Sequence, residues 1–255
     1  MQSKSLIPVY ITLILSAFCL SFTLRESKQK ALIQNLDTRY YYPKKLGLQV
    51  LDARITWEKH DISSAFETYK KNPSVKFHWD NKTQKPFISL TGENYNLPKK
   101  NQSELESFFS RYREMIIPKT LQDQFGHLPS RIIGTNKKNI ELQFQDTKNN
   151  SIQFNLLINR KKGWIDQLKV LQYTDPHTVL SFFTYIQKEK KWLVSQSRAS
   201  YRISEDFFQE TTRYFYSKIK SFWLTQKIKQ TILKNGKGFQ KFSLRVDQYQ
   251  IVDGS

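Results

Sequence analysis

From Arg131 to Ile251 apolar and polar residues change places with a period of two, and that alternation constrains the chain more than any other feature. Ile140, Leu142 and Phe144 alternate with Glu141, Gln143 and Gln145, and Ile152, Phe154, Leu156 and Ile158 follow after Asp146-Thr147-Lys148-Asn149-Asn150. Successive side chains of a strand point to opposite faces, so this pattern predicts half-buried antiparallel strands with one apolar face. Further strands are expected at 164–172, 179–186, 192–203, 211–216, 222–233 and 239–251. Their separators are Arg160-Lys161-Lys162-Gly163, Asp175-Pro176, Lys188 to Lys191 and Asn235-Gly236-Lys237-Gly238.

The first half mixes periods. Ala31, Leu32, Leu36 and Tyr40 recur at helical spacing and stop at Pro43. Leu51, Ala53, Ile55 and Trp57 alternate with Val50, Asp52, Arg54 and Thr56 as a strand. Asp61 reads as the N-cap of a short helix, Ile62 to Lys71, ended by Asn72-Pro73. Val75, Phe77 and Trp79 pair through Asp80-Asn81-Lys82 with Phe87 to Thr91 as a hairpin, with His78 on its polar face. Asn94 to Lys100 reads as a loop. A long helix is expected over Ser103 to Phe125, with Ser103-Glu104-Leu105-Glu106 as its capping box, Pro118 as a break or kink and Gly126 as its end. The sum is an α+β chain: about 9–11 antiparallel strands in one open sheet, which curls strongly at that size. Two or three helices cover its concave face. Residues 25–255 read as a single β-rich domain.

Residues 1–24 stand apart. Leu6 to Leu24 contains no charge, Lys4 precedes it, and Arg25, Lys28 and Lys30 follow. This is the pattern of an export signal, and 19 residues also approach the ~20 that span a bilayer as a helix. Cleavage, retention as an anchor and lipid attachment at Cys19 all remain open. Each places the domain outside the cytoplasm, in a periplasm-like compartment. Without residues 1–24 the chain holds 40 basic and 22 acidic residues and no Cys, so no disulfide supports the fold and a packed core must. The Lys residues are scattered, which with export argues against nucleic acid. An anionic membrane surface and envelope proteins remain as partners.

No catalytic or metal motif emerges. His60, His78, His127 and His177 are isolated, no P-loop, nucleophile elbow or Gly-x-Gly-x-x-Gly is present, and Glu205, Asp206, Asp166 and Asp175 read as turn carboxylates. No cofactor is expected. What stands out is the aromatic load of 5 Trp, 13 Tyr and 18 Phe, much of it in runs such as Tyr40-Tyr41-Tyr42, Phe182-Phe183 and Tyr214-Phe215-Tyr216. A large aromatic core accounts for some of this. The rest suits an apolar groove that takes an acyl chain. By alternation the candidate inward residues are Trp57, Phe77, Trp79, Phe144, Phe154, Phe183, Trp192, Phe215, Leu224 and Phe242, with Ile55, Leu156 and Leu244. Phe109 and Tyr112 come from the covering helix.

The order of elements resembles the periplasmic lipoprotein-carrier superfamily: the carrier that takes lipoproteins to the outer membrane, its receptor and related lipid-binding lipoproteins. The likeness lies in the export segment, the helix ending in Tyr40-Tyr41-Tyr42-Pro43, the strand Gln49 to Trp57 and the step Phe77-His78-Trp79. It extends to Phe207 to Tyr216 and to Ile219 to Ile228, where Ser221 stands for the usual Gly and Thr225 for the usual Pro. The resemblance implies an unclosed barrel under a helical lid, binding acyl chains of a lipoprotein or lipid without chemistry. The alternative is a membrane-tethered scaffold subunit that binds envelope proteins. A hydrolase acting on cell-wall or glycan substrates through carboxylates is the third reading.

Overall fold

A computed structural model describes residues 28–59, 73–83, 86–91, 98–146 and 152–254. The apolar segment 6–24 and the helix expected at 62–71 lie outside the described residues. The opening helix, α1, covers 28–39 and buries Gln29, Ile33, Leu36 and Asp37, which recur every three or four residues. Ala31, expected on that stripe, is exposed. A single 3-10 turn, Pro43–Leu46, follows, closed by Gly47 at φ 100°.

Three strands come next: β1 Leu48–Lys59, β2 Ser74–Asp80 and β3 Phe87–Leu90. Then three helices replace the one expected: α2 Lys99–Ser110, α3 Arg113–Ile116 and α4 Leu121–Phe125. The break has a cause in the backbone. Pro118 pushes Ile117 out of the helical region, to ψ 97°, and Thr120 starts a new helix. The capping box is therefore Thr120 with Asp123, not Ser103 to Glu106, because Pro98 sits at the N-cap of α2 and Ser103 falls inside that helix.

Nine strands complete the chain: β4 Ser130–Thr135, β5 Asn139–Gln145, β6 Gln153–Asn159, β7 Trp164–Leu171, β8 Thr178–Lys188, β9 Lys191–Ile203, β10 Asp206–Ile219, β11 Phe222–Lys234 and β12 Lys237–Asp253. All twelve form one antiparallel sheet in the order β3-β2-β1-β12-β11-β10-β9-β8-β7-β6-β5-β4. Among the described residues β3 and β4 are its edges and the sheet is not closed, as the family resemblance implied. Six of its ladders carry register shifts, the irregularities that bend and coil a sheet.

The apolar interior is divided. One cluster joins β1, β2, β11 and β12 to α2 and α3, with Ile55, Phe77, Phe109 and Leu244 fully buried. Within it Phe108 meets Tyr112, Phe242 and Trp57 at centroid distances of 5.3, 5.5 and 6.0 Å. The second cluster joins α1 and α4 to β5, β6 and β7 through Ile33, Leu36, Phe125, Leu142, Phe144 and Leu156. Fully burying one such side chain contributes about 1.5–3 kcal/mol. The middle strands β8, β9 and β10 supply no member to either buried set, and Leu193 is their one buried hydrophobic residue among those described. Here the sheet has wall without filling.

Candidate functional site

The gap between the two clusters is a cavity of about 250 Å³. Its floor is the inner face of the middle strands: Phe183 and Tyr185 of β8, Trp192 and Val194 of β9, Tyr214 and Tyr216 of β10, and Trp223 of β11. One end is bounded by Leu156, Ile165 and Leu168, and the roof by Met115, Ile116, Pro118, Leu121 and Phe125 of the α3–α4 segment. Tyr40, Tyr41 and Tyr42 form the third side. The inward rings of Phe183, Tyr185, Trp192, Tyr214 and Tyr216 are only half-buried, whereas Phe77 and Phe109 of the packed core are fully buried. That difference marks rings that are packed on one side and open to the cavity on the other.

Six tyrosines line this space, and each hydroxyl is engaged. Tyr40 receives the Ile165 N–H at 2.8 Å and donates to Tyr185 at 3.3 Å, and Tyr185 donates to the Ile165 carbonyl at 2.6 Å. Tyr41 receives the Trp223 N–H at 2.7 Å, Tyr42 donates to Asp37 at 2.8 Å, and Tyr216 donates to the Val194 carbonyl at 2.8 Å. Tyr214 and Ser197 share a bond of 3.3 Å. Burial pushes Tyr40 up to about 12, and burial likewise raises Tyr185, Tyr216 and, with the Asp37 carboxylate, Tyr42. These phenols stay neutral at any physiological pH. With each hydroxyl bonded to the protein, the wall offers ring faces, and it behaves as an apolar surface although six of the ten aromatic residues around the cavity are tyrosines.

The wall and roof are tied down separately. Tyr40 bridges Trp192 in parallel, and the Tyr41 N–H donates to the Trp192 carbonyl at 2.9 Å, so the tyrosine run is tied to β9 by a single isolated bridge. Behind it Trp164 stacks on Tyr185 at 5.0 Å and meets Trp192 edge-on at 4.8 Å. The roof is held by buried Asp37, which accepts the N–H groups of Leu121 and Gln122 at 2.8 and 3.0 Å, and by Thr225, whose hydroxyl donates to the Met115 carbonyl at 3.0 Å. At the solvent edge Lys119 pairs with Glu114 at 2.5 Å, both nearly half exposed.

The twelve residues expected in the groove divide into four groups. Phe183 and Trp192 line the cavity. Trp57, Phe77, Trp79, Phe109, Tyr112, Leu224 and Phe242 point inward but are packed into the first cluster, under α2. Phe144 and Phe154 belong to the second, against Phe125 at 4.9 and 5.5 Å. Phe215 requires correction: it is 41% exposed on the convex face beneath Lys229, and Tyr214 and Tyr216 point inward in its place. An apolar ring looked the natural choice for the interior. The phenols took it because Ser197 and Val194 satisfy their oxygens. Alternation fixed a face in most cases but could not say where the helices would fill it. The runs Tyr40-Tyr41-Tyr42 and Tyr214-Phe215-Tyr216 were the signal that sequence reasoning undervalued.

The suspected turn carboxylates are tied up singly. Asp166 accepts from Trp164 and Asn159, Asp206 pairs with Lys234, and Asp175 receives the Ser204 N–H. His78 lies on the polar face, 3.0 Å from Asp52. Among the described residues no three His, Cys, Asp or Glu side chains gather to hold a metal ion, and no helix is long and apolar enough to cross a membrane.

Fold and cavity define an unclosed antiparallel half-barrel with a helical roof over an apolar chamber. Among solved structures it is similar to a DUF1329 family protein from Desulfovibrio piger (8% identity, 91% of this chain and 95% of that one, TM-score 0.33). A putative outer membrane lipoprotein-sorting protein domain from Vibrio parahaemolyticus also matches (7%, 90% and 94%, 0.32). So does a LolA superfamily protein from Nitrosomonas europaea (8%, 88% and 94%, 0.30). The last two come from the group that the sequence resembles. Likeness at this level lends no weight to a functional assignment, which rests on the cavity. No protein-family model matches the chain, and no curated protein matches it in sequence.

Proposed function

We propose that this chain is an extracytoplasmic, non-enzymatic binding protein that holds an acyl chain of a lipid or lipoprotein in the chamber between its two cores. The observation that carries this reading is the wall of six tyrosines whose hydroxyls are each hydrogen-bonded to the protein itself. A site built for a polar ligand would aim free donors and acceptors inward. This one aims ring faces, and an apolar cavity of about 150 Å³ is already enough to stay dry and take up a hydrocarbon. Each methylene moved from water into such a space contributes ~0.8 kcal/mol. The uncharged run Leu6–Leu24 supports export.

Native mass spectrometry of the protein from membrane and soluble fractions tests the reading. The expected result is a population carrying an extra mass that organic solvent extracts as an acylated molecule. A chain free of lipid in both fractions, retaining residues 1–24 and isolated with other envelope proteins, would replace it with the tethered scaffold.

A further inference from the structure

The convex face of the sheet is as unusual as the concave one. Register aligns its outward residues into rows across β9 to β12. One row runs Arg198, Thr211, Thr231, Lys241, and the next runs Gln196, Arg213, Lys229, Ser243. A third row nearby holds Lys227 and Arg245, and there acids answer the charge. Glu58 lies 2.9 Å from Lys227 and 3.5 Å from Arg245, and Asp247 lies 3.2 Å from Arg245. In the first row no acid stands, and in the second Glu58 lies beyond Ser243 and is bonded to Ser243, Lys227 and Arg245, not to Arg213 or Lys229. Among the described residues no acid pairs with Arg198, Arg213, Lys229 or Lys241, and the one polar partner found is the Gln196 amide, 3.3 Å from Arg213.

Arg213 and Lys229 even stand directly opposite each other on neighbouring strands, a like-charge pairing that costs a sheet stability. With strands ~4.8 Å apart, the four cations share a strip about 14 Å wide. On this face too are Phe182, paired with Arg198 and 46% exposed, and Phe215, whose ring lies 5.3 Å below the Lys229 ammonium.

We infer that this strip is a docking surface for an anionic phospholipid bilayer. The unanswered cations set the sign of the partner. The two exposed rings choose among anionic partners, because rings beside Lys and Arg suit the headgroup layer, where aromatic faces meet the acyl boundary and cations meet phosphates. The assignment is independent of what the chamber holds.

The test compares partitioning of the full chain onto vesicles of phosphatidylcholine with vesicles containing phosphatidylglycerol. Taking the ratio cancels any contribution of residues 6–24 common to both. The variant R198Q/R213Q/K229Q/K241Q is set against K99Q/K100Q/K137Q/K161Q, which removes equal charge from exposed positions elsewhere. Each cation at the surface contributes about fivefold, so the strip variant should lose at least about tenfold of the anionic preference, and the control far less. The strip variant should melt no lower than the parent, since it relieves repulsion, so a lost preference is not a lost fold. Equal losses in both variants would reduce the effect to net charge and overturn the proposal. So would a parent without anionic preference, which would leave the face to another partner.

Discussion

The carboxylate of Asp37 accepts the backbone N–H of Leu121 at 2.8 Å, so a side chain of the first helix caps a helix eighty-four residues later in the chain. The same group takes the Gln122 N–H and the Tyr42 hydroxyl. One buried residue therefore joins α1, the tyrosine wall and the roof. Replacing Asp37 by Ala leaves those donors without their acceptor and should cost about 2–3 kcal/mol. The loss should be local first: hydrogen exchange at Leu121 and Gln122 speeds up before that of β5 and β6. Uniform acceleration across the domain would contradict a roof held at this point.

Thr225 holds the other end of the roof through the Met115 carbonyl. It occupies the position where the resembled family has Pro, and the substitution has a use here, since Pro has no hydroxyl to give. Thr225→Val keeps shape and loses the bond, leaving a carbonyl unsatisfied. About 1 kcal/mol of stability should go, read as a lower midpoint in urea. An unchanged midpoint would show that the bond does not hold α3.

Two phenylalanines, on β8 and β10 with β9 between them, mark the two faces. Phe183 lines the chamber and Phe215 lies outside it. Phe183→Asp buries a charge in the wall and should abolish uptake of a fluorescent fatty acid, while Phe215→Asp should leave its affinity within about twofold. Equal effects would mean that the ligand does not enter between the cores.

Much of this was legible in the sequence, and the boundary of legibility is physical. Period-two alternation is local, so strand positions and the inward set Ile55, Trp57, Phe77 and Trp79 follow from it, whereas the unclosed sheet followed from the family resemblance. Which inward residues meet a helix and which meet empty space depends on contacts such as Tyr112 with Gln230, 118 residues apart. No period records that. Phe215 went wrong for a similar reason, because the partners that let Tyr214 and Tyr216 turn inward sit on another strand. Pro118 was legible as a break or kink. The chain makes a full break there, because Thr120 and Asp123 supply a new start just beyond it.

Glu58 gives the account a pH dependence. The hydrogen bond from Lys227 holds its carboxyl below the ordinary Glu range, against partial burial, with Ser243 and Arg245 adding to the effect. A depressed folded value means that the stabilisation is complete above the unfolded value of about 4.3 and is lost as pH falls through the folded one. Glu58→Gln should therefore be less stable than the parent at pH 7, with the gap closing as pH falls below about 4. A gap that stays constant down to about pH 2 would assign the effect to shape, not to charge.

The central claim is that an acyl chain lies in the space bounded by Phe183, Tyr185, Trp192 and Tyr216. The most direct measurement is photocrosslinking with a fatty acid carrying a diazirine along its chain, followed by peptide mapping of the adducts. The account predicts adducts on β8, β9 and β10 at those inward residues and on the roof at Met115 to Leu121, and their loss when Val194→Trp fills the chamber. Adducts confined to Phe182 and Phe215, or unaffected by Val194→Trp, would contradict it.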